Sequence, residues 1–222
     1  MRKKYYKAYD KRYRQVHAKS LSWESAENSP IVVETLKKYF NDKKPRILDI
    51  GCGEGRDSFY LLGLGYDVQA IDVSEEAIRY CKNRAGVNKD KFHVLDVCTE
   101  NIEGKFDFIY SVATLHMLVL DDDRKSYLAF IKNHLAENGY ALILSMGDGQ
   151  TETESNVEEA FDDKLRIHQS TGEEMLIATT SCKTVNFKTF RKELQDSGFD
   201  IIEDGITEIE NHFPSIMYAI VR

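Results

Sequence analysis

Short apolar runs alternate with amphipathic stretches along most of the chain. Ile47, Leu48 and Ile50 form one run; Val68, Ala70 and Ile71 form a second. Phe92 to Leu95, Phe106 to Tyr110 and Tyr140 to Met146 supply three more. Between them the apolar residues recur at helical spacing. Ile31, Val32, Leu36 and Tyr39 behind Pro30 predict a helix over 29–40, with proline in its first turn. Phe59, Leu61, Leu62 and Leu64 predict a helix that stops at Gly65, and Ser74 caps one that carries Ala77, Ile78 and Cys81 and stops at Gly86. Tyr127, Leu128, Phe130, Ile131 and Leu135 predict a helix over 123–137, closed by Asn138-Gly139. Apolar strands alternating with helices imply an α/β fold, a doubly wound and mostly parallel sheet buried on both faces with right-handed crossovers.

The second half changes character. Residues 148–163 carry seven acids and no Lys or Arg. One or two strands are expected within 173–185, a helix over 187–197 ended by Gly198, and closing strands over 199–203 and 215–221. At the other end, residues 2–14 hold seven Lys or Arg against the single acid Asp10, with Tyr5, Tyr9 and Tyr13 at helical spacing. The basic arm (1–29) and the acidic segment (147–185) are expected to form a lid within one domain spanning 1–222. Opposite charge blocks attract over about 8 Å in physiological salt. Tyr5, Tyr9, Tyr13 and Trp23 are expected as the apolar underside of that lid, facing the substrate.

The stretch that points to chemistry is Asp49-Ile-Gly-Cys-Gly-Glu-Gly55. A buried strand runs into three glycines, where the backbone must turn tightly or let a ligand approach. That describes a nucleotide-type pocket at a strand's carboxyl end. Asp72 ends the next apolar run, at the spacing where a carboxylate takes both hydroxyls of a ribose. A dinucleotide fingerprint needs a glycine at position 56, which is Arg56.

Composition narrows the class. The 222 residues, 42% of them hydrophobic, suffice for one α/β domain. Three prolines and no Pro/Gly/Ser-rich linker argue against a second domain. The formal charge of −7 argues against a large nucleic-acid footprint. No apolar run reaches membrane length, and the basic, aromatic start lacks the apolar stretch of a signal peptide. Cys52, Cys81, Cys98 and Cys182 are far apart and form no CxxC, so free thiols, a cytoplasmic location and no metal site are expected.

The pattern D-x-G-x-G-x-G resembles motif I of the class I S-adenosylmethionine-dependent methyltransferases, and the resemblance extends over roughly residues 30–146. The run from Gly53 to Asp72, with its Gly-Arg-Asp-Ser turn (Gly55 to Ser58), is similar to the tellurite-resistance and thiopurine-type enzymes, which act on soft or small acceptors. The resemblance implies a seven-stranded sheet with an antiparallel C-terminal hairpin at one edge. It also implies S-adenosylmethionine as cofactor. Asp49 would orient the glycine turn and take the methionine amino group. Gly51, Cys52, Gly53 and Gly55 would let the backbone approach the methionine and ribose, with Arg56 and Asp57 bordering the methionine end. Asp72 would take the ribose hydroxyls, Val73 and Ser74 would lie beside the adenine, and Asp96 and the Val97 N–H would bind its amino group and ring nitrogen. Ser111 and Val112 would meet the methionine portion.

The segment Ser111-Val-Ala-Thr114 lacks the Asp/Asn-Pro-Pro-aromatic run of adenine and glutamine N-methyltransferases. No proline precedes a cysteine, as a cytosine C5 enzyme would require. His116 follows the fourth strand by a few residues and is the candidate to position an acceptor or act as a base. A small-molecule methyl acceptor, without nucleic-acid or membrane partners, is the leading expectation. A nucleic-acid or protein methyltransferase that grips with the basic arm, and a non-catalytic cofactor-binding module, remain the alternatives.

Overall fold

The computed structural model describes residues 4–23, 27–41, 43–168, 171–209 and 213–222. Arg2 and Lys3 of the basic arm lie outside the described residues. The chain begins with a 3₁₀ turn, Tyr5–Lys7, that runs into α1 (Ala8–His17). It continues through α2 (Pro30–Phe40), β1 (Arg46–Ile50), α3 (Arg56–Gly63), β2 (Asp67–Asp72), α4 (Glu75–Arg84), β3 (Phe92–Val94) and β4 (Phe106–Ser111). Next come α5 (Asp121–His134), β5 (Leu135–Met146), β6 (Thr153–Glu154), β7 (Asp163–Ile167), β8 (Glu174–Ala178), β9 (Lys183–Thr184), α6 (Phe187–Asp196), β10 (Ile201–Ile209) and β11 (Phe213–Val221).

Seven strands form one sheet in the order β10-β11-β5-β4-β1-β2-β3. The β3-β2-β1-β4-β5 portion is parallel, while β11 pairs antiparallel with both β5 and β10. Alternate residues of each strand feed two cores. Leu48, Ile50, Ile109 and Ile143 pack with Tyr127, Phe130 and Ile131 of α5 and Phe190 and Leu194 of α6. Ile47, Phe108, Leu142 and Leu144 pack with Ile31, Val32 and Leu36 of α2 and Leu61 of α3. Ser74 caps α4, its hydroxyl accepting from the Ala77 N–H at 3.0 Å. Asn186 caps α6 through the Thr189 N–H at 2.9 Å.

Some boundaries differ from expectation; the first closing strand, for instance, runs Ile201–Ile209 rather than 199–203. The fifth helix spans Asp121–His134 rather than 123–137, and Asn138-Gly139 lies inside β5. Leu135 pairs with Phe106 and Tyr140 with Phe108, so residues 136–139 bulge out of the ladder between those pairs. The helix ends where Leu135 takes its place in the sheet, and the Asn-Gly pair serves the bulge.

The arm and the segment after β5 pack on each other at the carboxyl ends of the parallel strands. β7 and β8 form an antiparallel hairpin whose inner residues Met175 and Ile177 pack on Val16 of α1, with Leu21 and Trp23 against them. The expected meeting of charge blocks is largely absent. Among the described residues, Lys11–Asp163 at 2.9 Å is the one ion pair between the two blocks. Arg12 donates to the main-chain carbonyls of Ala178 and Thr179 at 2.8 and 2.7 Å, and Arg14 pairs with Asp10 of its own helix at 2.8 Å. Asp148 accepts from the N–H groups of Gln150 and Thr151 in its own turn, and Glu159 pairs with Lys164. Among the described residues of the arm and the segment after β5, carbonyl acceptors and apolar contacts outnumber ion pairs.

Candidate functional site

The glycine loop after β1 is fastened to β2. The Gly51 and Cys52 N–H groups donate to the Ile71 carbonyl at 2.8 and 3.1 Å. Gly51 has φ +73°, and a Cβ there would run into the Thr114 side chain. Gly55 has φ +84°, and its Cβ would meet the Phe59 ring at 2.7 Å and the Cys81 sulfur at 3.0 Å. Only glycine gives this turn both its hand and its close packing.

Asp72 faces the loop from the end of β2. One carboxylate oxygen accepts from the Gly53 N–H at 2.9 Å and the other from the Ser74 N–H at 2.8 Å. Burial pushes its carboxyl up; the bonds from Ser74 and Gly53 oppose that rise and the neighbouring Asp10 adds to it. Asp96 stands two residues beyond β3 and is buried. It accepts from Lys4 Nζ at 2.6 Å, from the Tyr6 hydroxyl at 3.3 Å and from the Cys98 N–H at 3.2 Å.

These groups border a cleft at the carboxyl ends of β1, β2 and β4. Gly51, Arg56, Asp72, Val73, Asp96, Val97 and Val112 line it, and Tyr9, Tyr13 and Trp23 form a wall from the arm. Tyr6, Leu95, Cys98, Ala113, Thr114, Met117, Leu118 and Tyr127 line it as well, although sequence reasoning did not single them out. The run that follows the fourth strand was the available signal for Thr114 and Met117. Nothing in the spacing marked Tyr127, whose hydroxyl bonds Ser111.

Several expected residues sit behind the cleft rather than on it. Asp49 is buried on the α2/α3 side, accepting from the Ser58 hydroxyl at 2.6 Å and the Tyr110 hydroxyl at 2.8 Å. It braces the loop from below. Cys52, Gly53 and Gly55 shape the turn, Ser74 caps α4, and Ser111 holds Tyr127; none of the five is among the cleft-lining residues. Tyr5 is a correction. Its ring belongs to the main core, its hydroxyl accepts the Val119 and Leu120 N–H groups at 2.9 and 3.0 Å, and Tyr6 takes the wall position instead. The 3₁₀ turn at Tyr5–Lys7 has about three residues per turn, so the α-helical stripe through Tyr9 and Tyr13 does not extend back to Tyr5. His116 is a second correction. A 3₁₀ turn over Leu115–Met117 sends Met117 to the cleft and buries the imidazole away from it. Desolvation and then the nearby Arg124 charge push His116 down to about 3, which leaves it neutral. Among the described residues, no cluster of His, Cys, Asp or Glu is arranged to hold a metal ion.

A family model described as tellurite resistance protein TehB matches residues 23–164, more than half of the chain. The chain belongs to the TehB family. A probable S-adenosyl-L-methionine-dependent methyltransferase TehB of Haemophilus influenzae is 36% identical over 104 residues, which are 45% of this chain and 35% of that protein. A ubiquinone biosynthesis O-methyltransferase of Rickettsia typhi is 30% identical over 114 residues, 50% of this chain and 46% of that protein. The chain thus spans between a third and a half of the length of these two relatives. An S-adenosylmethionine-dependent methyltransferase from Clostridium acetobutylicum shares the fold, with a TM-score of 0.67, 18% identity and 95% of both chains covered. The glycopeptide N-methyltransferase MtfA, solved with S-adenosyl-L-methionine, shares it with a TM-score of 0.64 at 16% identity, covering 90% of this chain and 88% of that one. The TehB match takes in the glycine loop, Asp72, Asp96 and the β4 loop together, while the wall residues Tyr6, Tyr9 and Tyr13 precede it.

Proposed function

We propose that this TehB-family chain is a cytoplasmic enzyme that transfers the methyl group of S-adenosylmethionine to a small-molecule acceptor. The observation that carries this reading is the joint placement of Gly51, Asp72 and Asp96 along one cleft roofed by Tyr9, Tyr13 and Trp23. The cleft suits an adenosyl group. Asp72 is a ribose acceptor already oriented by two main-chain N–H groups. Asp96 is a buried carboxylate for an adenine amino group. Gly51 brings the backbone of the glycine loop to the cleft in a left-handed turn that Thr114 closes to any Cβ.

When bound, the cofactor supplies an electrophilic methyl on a sulfonium. The chain's own part is to hold the adenosyl portion, exclude water with the aromatic wall and orient the acceptor. Among the described residues, neither histidine nor a carboxylate other than Asp72 and Asp96 lines the cleft. The acceptor therefore arrives as a nucleophile that ionises or reacts unaided, such as a thiol, selenium or tellurium species or an unprotonated amine. The nucleic-acid alternative is less well supported. Lys4, Lys11 and Arg12 are engaged with Asp96, Asp163 and main-chain carbonyls, so these arm cations are not offered to phosphates. Among the described residues, no helix is long and apolar enough to cross a membrane.

Calorimetry with S-adenosylhomocysteine and NAD tests the cofactor. Saturable binding of the adenosyl compound and none of NAD is expected; tight NAD binding without the other would end the proposal. Turnover with a panel of small thiols and amines then separates an enzyme from a binding module. His116→Gln is expected to keep turnover within about tenfold, because a neutral, buried imidazole off the cleft is not a base. A loss of about 10³ with cofactor binding intact would assign it that role after all.

A further inference from the structure

His17, the last residue of α1, sits between two carboxylates from different elements. Its Nε2 lies 2.7 Å from Glu54 in the glycine loop, and its Nδ1 lies 2.7 Å from Glu76 on α4. The three side chains are only 8%, 5% and 10% exposed. A neutral imidazole has one N–H, so one of its nitrogens would present a lone pair to a carboxylate oxygen. The charged imidazolium donates to both. The same Glu54 oxygen accepts the Trp23 N–H at 2.8 Å. Glu54 thus holds both the end of α1 and the residue that closes the aromatic wall.

We propose that His17 is a proton-dependent pin that fastens the arm to the glycine loop. The His17–Trp23 end of the arm stays against the glycine loop while the imidazole is charged and loosens there when the imidazole is neutral. The pin is one of few polar attachments on this side of α1. Asp10 is another, accepting the Ser74 hydroxyl and the Glu76 N–H at 2.9 Å each.

The groups around His17 fix the direction of the switch. From the loop there is Glu54. From α4 there are Glu76, Arg79, which donates to Glu76, and Tyr80, whose ring stacks on the imidazole at 4.5 Å. From α1 itself there are Tyr13, Asp10 and Arg14, the last paired with Asp10 and 3.9 Å from Glu75. Burial lowers the His17 pKa, but the bonds to Glu54 and Glu76 and their charges outweigh burial and hold it above the ordinary histidine value. The stabilisation is therefore complete below about pH 6.5 and is lost as the pH rises through the elevated value. Arg79, ahead of His17 and against burial, holds Glu76 below its ordinary range. That side of the latch fails only as the pH falls through the lowered Glu76 value. The arm is thus fastened from mildly acidic to near-neutral pH and released on the alkaline side.

Trp23 is the chain's single tryptophan and reports on the latch without any ligand. Acrylamide quenching of its fluorescence is expected to rise about threefold between pH 6 and pH 9, with a midpoint above 6.5. In His17→Gln quenching should be high at both ends and lack the step. In His17→Arg, whose two-pronged cation stays charged, it should remain low at pH 9. Flat quenching of the unmodified chain across this range would overturn the proposal, and so would a step of the same midpoint in His17→Gln. The role of the cleft rests on the cofactor reading above and is tested separately, by the dissociation rate of S-adenosylhomocysteine. That rate should increase with the same midpoint. A quenching step in a chain that does not bind the adenosyl compound would keep the latch and remove the cofactor.

Discussion

Arg124→Ala is expected to lower the folding stability by about 3–5 kcal/mol, the usual cost of removing one partner from a buried ion pair. Arg124 lies on α5 with 1% of its surface exposed. Its Nε and Nη2 donate to the two oxygens of Glu193 on α6 at 2.7 and 2.6 Å. Its Nη1 donates to the carbonyls of Leu115 and Leu118 at 2.9 and 3.1 Å. Alanine leaves the Glu193 carboxylate and the Leu118 carbonyl without this donor, leaves the Leu115 carbonyl with the Leu118 N–H, and opens a cavity among them. Urea unfolding measures the loss, and a drop below about 1 kcal/mol would show that the pair is dispensable. Replacing both partners by Met and Leu should recover most of the stability, because the desolvated charges leave together. The same guanidinium holds the turn that brings Met117 and Leu118 to the cleft, so the single variant should also weaken acceptor binding in whatever fraction remains folded.

Asp72→Ala is expected to weaken S-adenosylhomocysteine binding by at least about a hundredfold. Two ribose hydroxyls on one carboxylate make charge-assisted bonds worth roughly 1.5–3 kcal/mol each. The carboxylate also holds the Gly53 and Ser74 N–H groups, so its removal loosens the loop as well as the ligand. Asp72→Asn keeps an oxygen for one of those N–H groups and should fall between the two. Calorimetry at fixed pH gives the affinities, and a thermal melt shows how much is due to the fold. A change of less than about threefold in Asp72→Ala would mean that another group takes the ribose.

The parallel half of the fold was legible because its signals are local. β1 falls at Arg46–Ile50 as its apolar run predicts, the Ser74 cap stands where side-chain chemistry puts it, and the last helix begins at Phe187 as expected. Asp72 and Asp96 were legible as cleft residues because they end apolar runs. What stayed hidden depends on contacts distant in sequence. Arg124 reads as a polar position on an amphipathic helix, and only the docking of α6 makes it a buried ion pair. The Asn-Gly pair at 138–139 looks like a helix stop until the pairing of Leu135 with Phe106 turns it into a bulge. Tyr5 and Tyr6 cannot be told apart by periodicity, because a single 3₁₀ turn changes which ring faces the cleft. His17 carries no motif; its two carboxylate partners lie 37 and 59 residues away.

The arm's attachments have a consequence for biosynthesis. Tyr9, Arg12 and Gln15 bond to Ser181 and Ala178, partners 163–172 residues further along the chain. At a translation rate of about 5–20 residues per second, α1 leaves the ribosome roughly 10–30 s before its docking surface exists. Throughout that interval Tyr9, Tyr13 and Val16 have no hairpin to cover them. The sheet core can assemble in the meantime, since β1 to β5 pair without the arm. Residues 8–17 are thus made well before the partners they dock on, and the growing chain carries an uncovered aromatic helix throughout that interval.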